Sequence, residues 1–203
     1  MPTPLPLQTV VAHTGRVTVA RRQQLLHQRP VTVWLTGLSG AGKSTLAYEM
    51  EQRLHDQGLS SFVLDGDNLR HNLNRDLGFT PEERQENIRR VAEVAALMND
   101  AGLIVFTALI SPCLADRAMA RSIIGSARFI EVHVSTALKV CEDRDPKGLY
   151  NKARSGLIPM FTGISAPYEP PDEPHIRVDA GQCSVSEAAA QILDYLQQQS
   201  VLA

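Results

Sequence analysis

The chain lacks the features that would place it in a membrane, in a disulfide scaffold or on a nucleic acid. No apolar run approaches the roughly 18–20 residues that a bilayer-spanning helix needs, so no membrane association is expected. Charge is nearly balanced, a formal −2 over 203 residues, which gives no general attraction to nucleic acid or to an anionic lipid surface. The N-terminal run Met1-Pro-Thr-Pro-Leu-Pro-Leu has prolines but no basic-then-apolar leader pattern. Cysteine is scarce: Cys113, Cys141 and Cys183 are odd in number and form no C-x-x-C pair. They read as reduced, mostly buried thiols, and a cytoplasmic location is expected. The six histidines show no zinc-ligand spacing. There is no N-K-x-D motif for reading guanine, and no internal repeat.

What is present is a phosphate-binding loop. Gly37-Leu38-Ser39-Gly40-Ala41-Gly42-Lys43-Ser44 matches G-x-x-x-x-G-K-[ST] at every fixed position. Before it, Val31 to Thr36 is a short β-branched run suited to a buried strand; after it, Leu46, Ala47, Met50 and Leu54 fall at helical spacing. Strand, glycine-rich turn and helix together are the context the motif requires. Backbone amides then curl around phosphate oxygens, and the helix start adds partial positive charge. Lys43 is expected to reach the β- and γ-phosphates of ATP, and the Ser44 hydroxyl to ligate Mg²⁺.

Strand and helix patterns alternate from Val31 onward, which predicts an α/β chain with a P-loop NTPase fold: a five-stranded, mainly parallel sheet with helices on both faces. Residues 1–30 read as an N-terminal arm that ends in a short helix, and 31–203 as the kinase domain. Strands are expected at Ser61–Leu64, Leu103–Ile110, Phe129–Val134 and Ile176–Asp179. A long helix should start at Pro81, with Thr80 as N-cap and Glu83 closing a capping box, and run through Ile88, Val91, Ala92, Ala95, Leu97 and Met98 to about Ala101. Further helices are expected near Leu114–Ile124, Ala137–Glu142 and Ser184–Gln199, the last opened by the box Ser184/Glu187.

The charged, Gly- and Pro-punctuated stretch from Asp143 to Pro174 shows no obvious secondary structure. It is too long for a simple connection and is read as a mobile lid. Arg144, Lys147, Lys152 and Arg154 supply the positive charge that a moving phosphoryl group requires.

The acidic residue usual after a buried strand is missing where Leu103–Ile110 ends in Ser111-Pro112. The acidic pair sits instead after the second strand, as Asp65 and Asp67. Carboxylates there suit Mg²⁺ held through water, or a proton taken from an attacking hydroxyl, in a small kinase acting on a second small molecule. Arg70, Arg75, Arg84, Arg89 and Arg90 cluster nearby, and guanidinium forks suit anions; two of the five are expected to be functional. Phe79 among them either stacks on a planar base or belongs to the core.

With these residues together, the chain resembles the adenylyl-sulfate kinase (APS kinase) family. The resemblance rests on Gly37–Thr45 (GLSGAGKST), Asp65–His71 (DGDNLRH), Asp76–Phe79 (DLGF), Arg84–Arg90 (RQENIRR), Ile110–Pro112 (ISP), Cys141–Tyr150 (CEDRDPKGLY) and Phe161–Ile164 (FTGI), in that order. It implies transfer of the ATP γ-phosphate to the 3′-hydroxyl of adenylyl sulfate, giving 3′-phosphoadenylyl sulfate and ADP. It implies that residues 37–45 hold ATP with Arg144 against its adenine. Arg70, Arg84, Asn87, Ile110, Ser111 and Leu149 would contact adenylyl sulfate, whose adenine would lie between Phe79 and Phe161. Lys147 would bridge toward the phosphates, and Asp67 would act near Mg²⁺ and the attacking hydroxyl. A homodimer is implied as well, and an association with sulfate adenylyltransferase is left open.

The family is commonly described with a phosphoserine at the position of Ser111. No general base for Ser111 is evident, so it is expected mainly to bind substrate, with the phosphoenzyme as the alternative. Three positions depart from the family pattern. Asn72 replaces a usual Gly, which would matter in a left-handed turn. Cys113 replaces a common aromatic and would loosen packing at the acceptor site. Ala12 stands where a Trp is usual. The rival readings are another small-molecule P-loop kinase, for a sugar acid, nucleoside or aromatic acid, or a non-catalytic nucleotide-binding partner of a sulfate-activating complex.

Overall fold

The computed structural model describes residues 11, 13 and 15–202; Ala12 and the first ten residues of the expected arm lie outside the described residues. Five strands form one sheet: β1 (Thr32–Thr36), β2 (Ser61–Asp65), β3 (Ile104–Ala108), β4 (Phe129–Val134) and β5 (Ile176–Val178), in the order β2-β3-β1-β4-β5. Every pairing is parallel. Among the described residues eight α-helices accompany them: α1 (Val19–Leu26), α2 (Lys43–Asp56), α3 (Gly66–His71), α4 (Pro81–Asp100), α5 (Leu114–Ile124), α6 (Leu138–Arg144), α7 (Leu149–Arg154) and α8 (Val185–Gln198).

The period of two along β1 divides the interior. Val33 and Leu35 face one side with Phe106, Val132, Leu46 and Met50 of α2, and Ile192 of α8. Trp34 faces the other side with Val105 and Phe129, covered by Ile88, Val91 and Ala95 of α4 and Ala120 and Ile124 of α5. A sheet buried on both faces must be apolar at every strand position, which is why these strands read as continuous runs. Thr32 and Thr36 are the exceptions within β1; the Thr32 hydroxyl donates to Asn99 of α4, whose amide donates to the Leu103 carbonyl, and the Thr36 hydroxyl donates to the Ile110 carbonyl, so both are satisfied.

Both capping boxes form. Thr80 and Glu83 close the start of α4, with Pro81 in its first turn, and Ser184 and Glu187 close the start of α8. Three expectations are corrected. Leu97 is 69% exposed on α4 rather than part of its apolar face. Only Cys141 is buried, while Cys113 and Cys183 are partly exposed. The stretch from Asp143 to Pro174 holds a helix, α7. The Asp145 carboxylate accepts from the backbone amides of Tyr150 and Asn151, both at 3.1 Å, satisfying the start of α7 from outside it. Tyr150 and Ala153 anchor the helix in the core. A six-residue helix is too short for its periodicity to stand out among glycines and charges.

Parallel strands all point their C-terminal ends one way, and the crossovers leave a crevice there. Register puts Thr36 beside His133 and Asp65 beside Ala108. The loops that follow these positions build the cleft.

Candidate active site

The cleft encloses about 1100 Å³, at or above the roughly 300–1,000 Å³ typical of sites for one small molecule. Its lining comes from the loop after β1, from α3 and the start of α4, from the turn after β3, and from residues between 144 and 162.

At one end lies the 37–44 loop. Gly37 is positioned where a Cβ would meet the Val134 carbonyl oxygen at 2.5 Å, so no side chain fits. Gly42, at φ 104°, is the N-cap of α2 and offers no side-chain cap, which leaves the first amides of the helix free for an anion. Ser39, Gly40, Gly42, Lys43, Ser44 and Thr45 line the cleft. Gly37, Leu38 and Ala41 support the loop from behind: Ala41 is fully buried, and the Lys43 ammonium donates to the Gly37 and Leu38 carbonyls at 2.9 and 2.7 Å. Burial of that ammonium brings its pKa down to about 8. Arg144 stands beside the loop, donating to the Ala180 carbonyl at 2.6 Å and the Gly40 carbonyl at 3.4 Å.

In the middle sit the two aspartates, and the structure divides their work. Ser44 donates its hydroxyl proton to Asp65 Oδ2 at 2.6 Å, while Asp65 Oδ1 caps α3 by accepting from the Asp67 and Asn68 amides. The carboxylate that meets Ser44 is therefore Asp65, which the sequence paired with Asp67 as a candidate for Mg²⁺ but which the family resemblance passed over in favour of Ser44 and Asp67. Its signal was available: it is the last residue of β2, opposite the phosphate loop. Asp67 instead forms an ion pair with Lys147.

The far end carries the arginines. Arg70 lies over the Phe79 ring, 4.3 Å from its centroid, and donates to the Leu77 and Gly78 carbonyls. Arg84 donates to Phe79 O at 2.8 Å, to Thr162 Oγ1 at 2.8 Å and to Met160 O at 2.6 Å. Burial disfavours the charge on both, and Arg84 further disfavours that on Arg70. Two half-buried cations whose charge burial disfavours make a site complementary to an anion. Arg89 and Arg90 are instead engaged with Glu86 and Glu93 along α4 and with Asp76 in the turn before it, and Arg75 is exposed away from the cleft.

Phe79 is 63% exposed, so it is not a core residue. Phe161 also reaches the cleft but is mostly buried, with Tyr150 edge-on to its ring at 5.0 Å. Asn87 is buried and accepts from Asn74 at 3.0 Å; Ile110, Ser111, Lys147 and Leu149 complete the lining. Tyr48, Leu157 and Ile158 line it too and carried no motif by which to find them, and Thr162, which falls inside the FTGI string, was given no role there.

The family model for adenylylsulphate kinase matches residues 29–179. An adenylyl-sulfate kinase of Enterobacter sp. (strain 638) is 55% identical over 195 residues, 96% of each chain. The chain belongs to the adenylylsulphate kinase family. Among solved members, the Mycobacterium tuberculosis APS kinase in complex with AMPPNP and APS aligns at a TM-score of 0.81 and 49% identity, over 84% of this chain and 99% of its own. A hexameric APS kinase from Thiobacillus denitrificans is 30% identical at a TM-score of 0.67, and this chain matches 32% of its length. Shikimate kinase of Aquifex aeolicus, 14% identical at a TM-score of 0.51, shares the P-loop kinase fold alone.

Two departures from the APS kinase pattern now have a local setting. Asn72, the C-cap of α3, has φ −127°, so the turn there is not the left-handed one in which the replacement of glycine would matter. Cys113 is the N-cap residue of α5; its neighbour Pro112 lines the cleft and Cys113 does not.

Proposed function

We propose that this chain phosphorylates the 3′-hydroxyl of adenylyl sulfate with ATP, giving 3′-phosphoadenylyl sulfate and ADP. The observation that carries this reading is a single cleft with a phosphate loop at one end and Arg70, Phe79, Arg84 and Asn87 at the other, meeting at Asp67 and Lys147. Residues 37–45 take the ATP phosphates and Arg144 lies along its base. Adenylyl sulfate places its adenine between Phe79 and Phe161 and its anionic groups on Arg70 and Arg84, with Asn87, Ile110, Ser111 and Leu149 around it. The acceptor O3′ forms its bond to the γ-phosphorus as the β–γ bridging bond breaks and ADP departs; Asp67 takes the hydroxyl proton. Lys43 and Lys147 face the charge on the transferring group from opposite sides, and residues 143–174 serve as the lid that excludes water.

Mg²⁺ suits the oxygen donors gathered here, the Ser44 hydroxyl with Asp65 and Asp67; no group of three or more His, Cys, Asp or Glu residues forms a metal cage among the described residues. Such a set leaves room for waters and phosphate oxygens, as Mg²⁺ prefers, and when bound the ion neutralises the β- and γ-phosphates.

Ser111 binds substrate in this reading. Its hydroxyl accepts a hydrogen bond from the Trp34 indole at 3.1 Å, and among the described residues no carboxylate or imidazole is hydrogen-bonded to it to act as a base. Direct in-line transfer needs no protein nucleophile. Rapid-quench labelling with γ-labelled ATP should leave Ser111 unlabelled; stoichiometric label that chases into product would reverse this assignment. The reading extends to a cytoplasmic homodimer working beside sulfate adenylyltransferase, for which light scattering, alone and with that enzyme, is the test. Activity itself is tested by coupled ADP release over adenylyl sulfate, gluconate, shikimate and nucleosides. Turnover on adenylyl sulfate alone is expected, and preference for any other acceptor would overturn the assignment.

A further inference from the structure

Behind the cleft floor lies a buried polar network that the chemistry above does not use. Ser111 has φ 40°, the left-handed region, which is unfavourable for a residue with a Cβ and needs holding in place. Its carbonyl accepts from Arg117 Nη1 at 2.7 Å. The same guanidinium donates through Nε to Glu131 Oε1 at 2.8 Å and through Nη2 to the Glu169 carbonyl at 2.7 Å. Arg117 is 2% exposed. One buried cation thus joins the turn after β3, strand β4 and the end of the segment that covers the cleft.

Neighbouring bonds repeat the pattern. The Glu169 amide donates to the Pro112 carbonyl at 2.9 Å, and its carboxylate accepts from the Leu114 amide at 2.6 Å. Tyr168, beside it, shares a hydrogen bond with Thr36 at 3.0 Å, and the Thr36 hydroxyl donates to the Ile110 carbonyl at 2.8 Å. Thr36 is the residue from which the 37–44 loop departs. A buried ion pair of this kind is costly, and apolar residues of equal volume often serve stability as well, so stability alone is a weak reason for it.

We propose that Arg117 is a positioning residue for the acceptor. By fixing the Ser111 carbonyl it sets the face that Ile110, Ser111 and Pro112 present to the cleft. By holding the Glu169 carbonyl it makes that face depend on the docking of the segment ending at Tyr168–Glu169. The proposal rests on the reading that the acceptor lies against Ser111.

The test is steady-state kinetics of the full chain with ATP and adenylyl sulfate for the wild type, Arg117→Met, Arg117→Lys and Tyr168→Phe, with thermal unfolding alongside. Losing a hydrogen bond from a charged donor should raise the KM for adenylyl sulfate about tenfold or more in Arg117→Met, with the KM for ATP within about twofold. Arg117→Lys, which keeps the charge but loses the fork, should fall between that variant and the wild type. Tyr168→Phe, an isosteric change that loses one neutral bond, should raise the acceptor KM about threefold, and it carries the same readout if Arg117→Met does not fold. Equal rises in both KM values, or an unchanged acceptor KM in an active enzyme, would overturn the proposal while leaving the kinase reading standing. A wild type with no turnover on adenylyl sulfate would sink both.

Discussion

The loop at 37–44 and the pocket around Arg70 and Arg84 lie at two ends of one cleft but are made in opposite ways. The first is eight consecutive residues, and its ligand-facing groups are largely backbone amides presented by a strand, a turn and a helix start. The second is side chains gathered from α3, the loop before α4, α4 itself, the turn after β3 and the segment between β4 and β5. A site made of backbone depends on local sequence, so its chemistry is written in one stretch. A site made of dispersed side chains depends on the whole fold to bring them together. Damage to the donor end should therefore impair transfer of phosphate from ATP, and damage to the acceptor end should impair recognition of one molecule.

The largest separation is expected from Lys43→Ala. Removing a cation from the transferring phosphoryl group should lower kcat by about 10³-fold, while equilibrium binding of adenylyl sulfate stays within about twofold. Loss of acceptor binding in that variant would mean the two ends are not independent. Arg84→Ala should do the reverse, raising the KM for adenylyl sulfate about 30-fold with little change for ATP. Because Arg84 also ties α4 to Met160 and Thr162, proteolysis between 155 and 165 should quicken in the same variant. Phe79→Ala removes one face of the base site and should weaken acceptor affinity by about tenfold, read by calorimetry.

The pH dependence separates the ends again. Lys43 is held near pKa 8 by burial, and phosphate beside it favours the charged form. More protons are bound in the complex than in the free protein above that pH, so ATP affinity should fall as pH rises past about 8, by up to about tenfold per unit. Arginines stay protonated there, and acceptor affinity should be flat over the same range. The smallest effect is expected at Asn72→Gly. With no left-handed strain to relieve, the glycine should destabilise by about 0.5 kcal/mol in a denaturant titration, through greater freedom of the unfolded chain. A gain in stability would restore the left-handed turn at that position.

The same contrast explains how much could be read in advance. α5, β4 and both capping boxes were legible because their signals lie within a few residues: Thr80 to Glu83, Ser184 to Glu187, an apolar run bounded by turn residues. The phosphate loop was legible for the same reason. Helix α7 was not, since the Asp145 carboxylate that satisfies its amides lies outside it and its apolar contacts are tertiary. Ser44 meeting Asp65, and Trp34 meeting Ser111, join residues 21 and 77 positions apart, which no local pattern records. The arginines were visible as a cluster, but only packing sorts Arg70 and Arg84, which line the cleft, from Arg89 and Arg90, whose partners are carboxylates of α4 and of the turn before it. The family resemblance made that division in advance where periodicity did not.

The most direct test of two nucleotides facing each other in one cleft is a crystal structure of the chain with ADP and adenylyl sulfate. The account predicts ADP phosphates on residues 37–45, the adenine of adenylyl sulfate between Phe79 and Phe161, and its 3′-hydroxyl turned toward Asp67 and the phosphate loop. An adenine bound away from Phe79, or a 3′-hydroxyl turned from the loop, would contradict it.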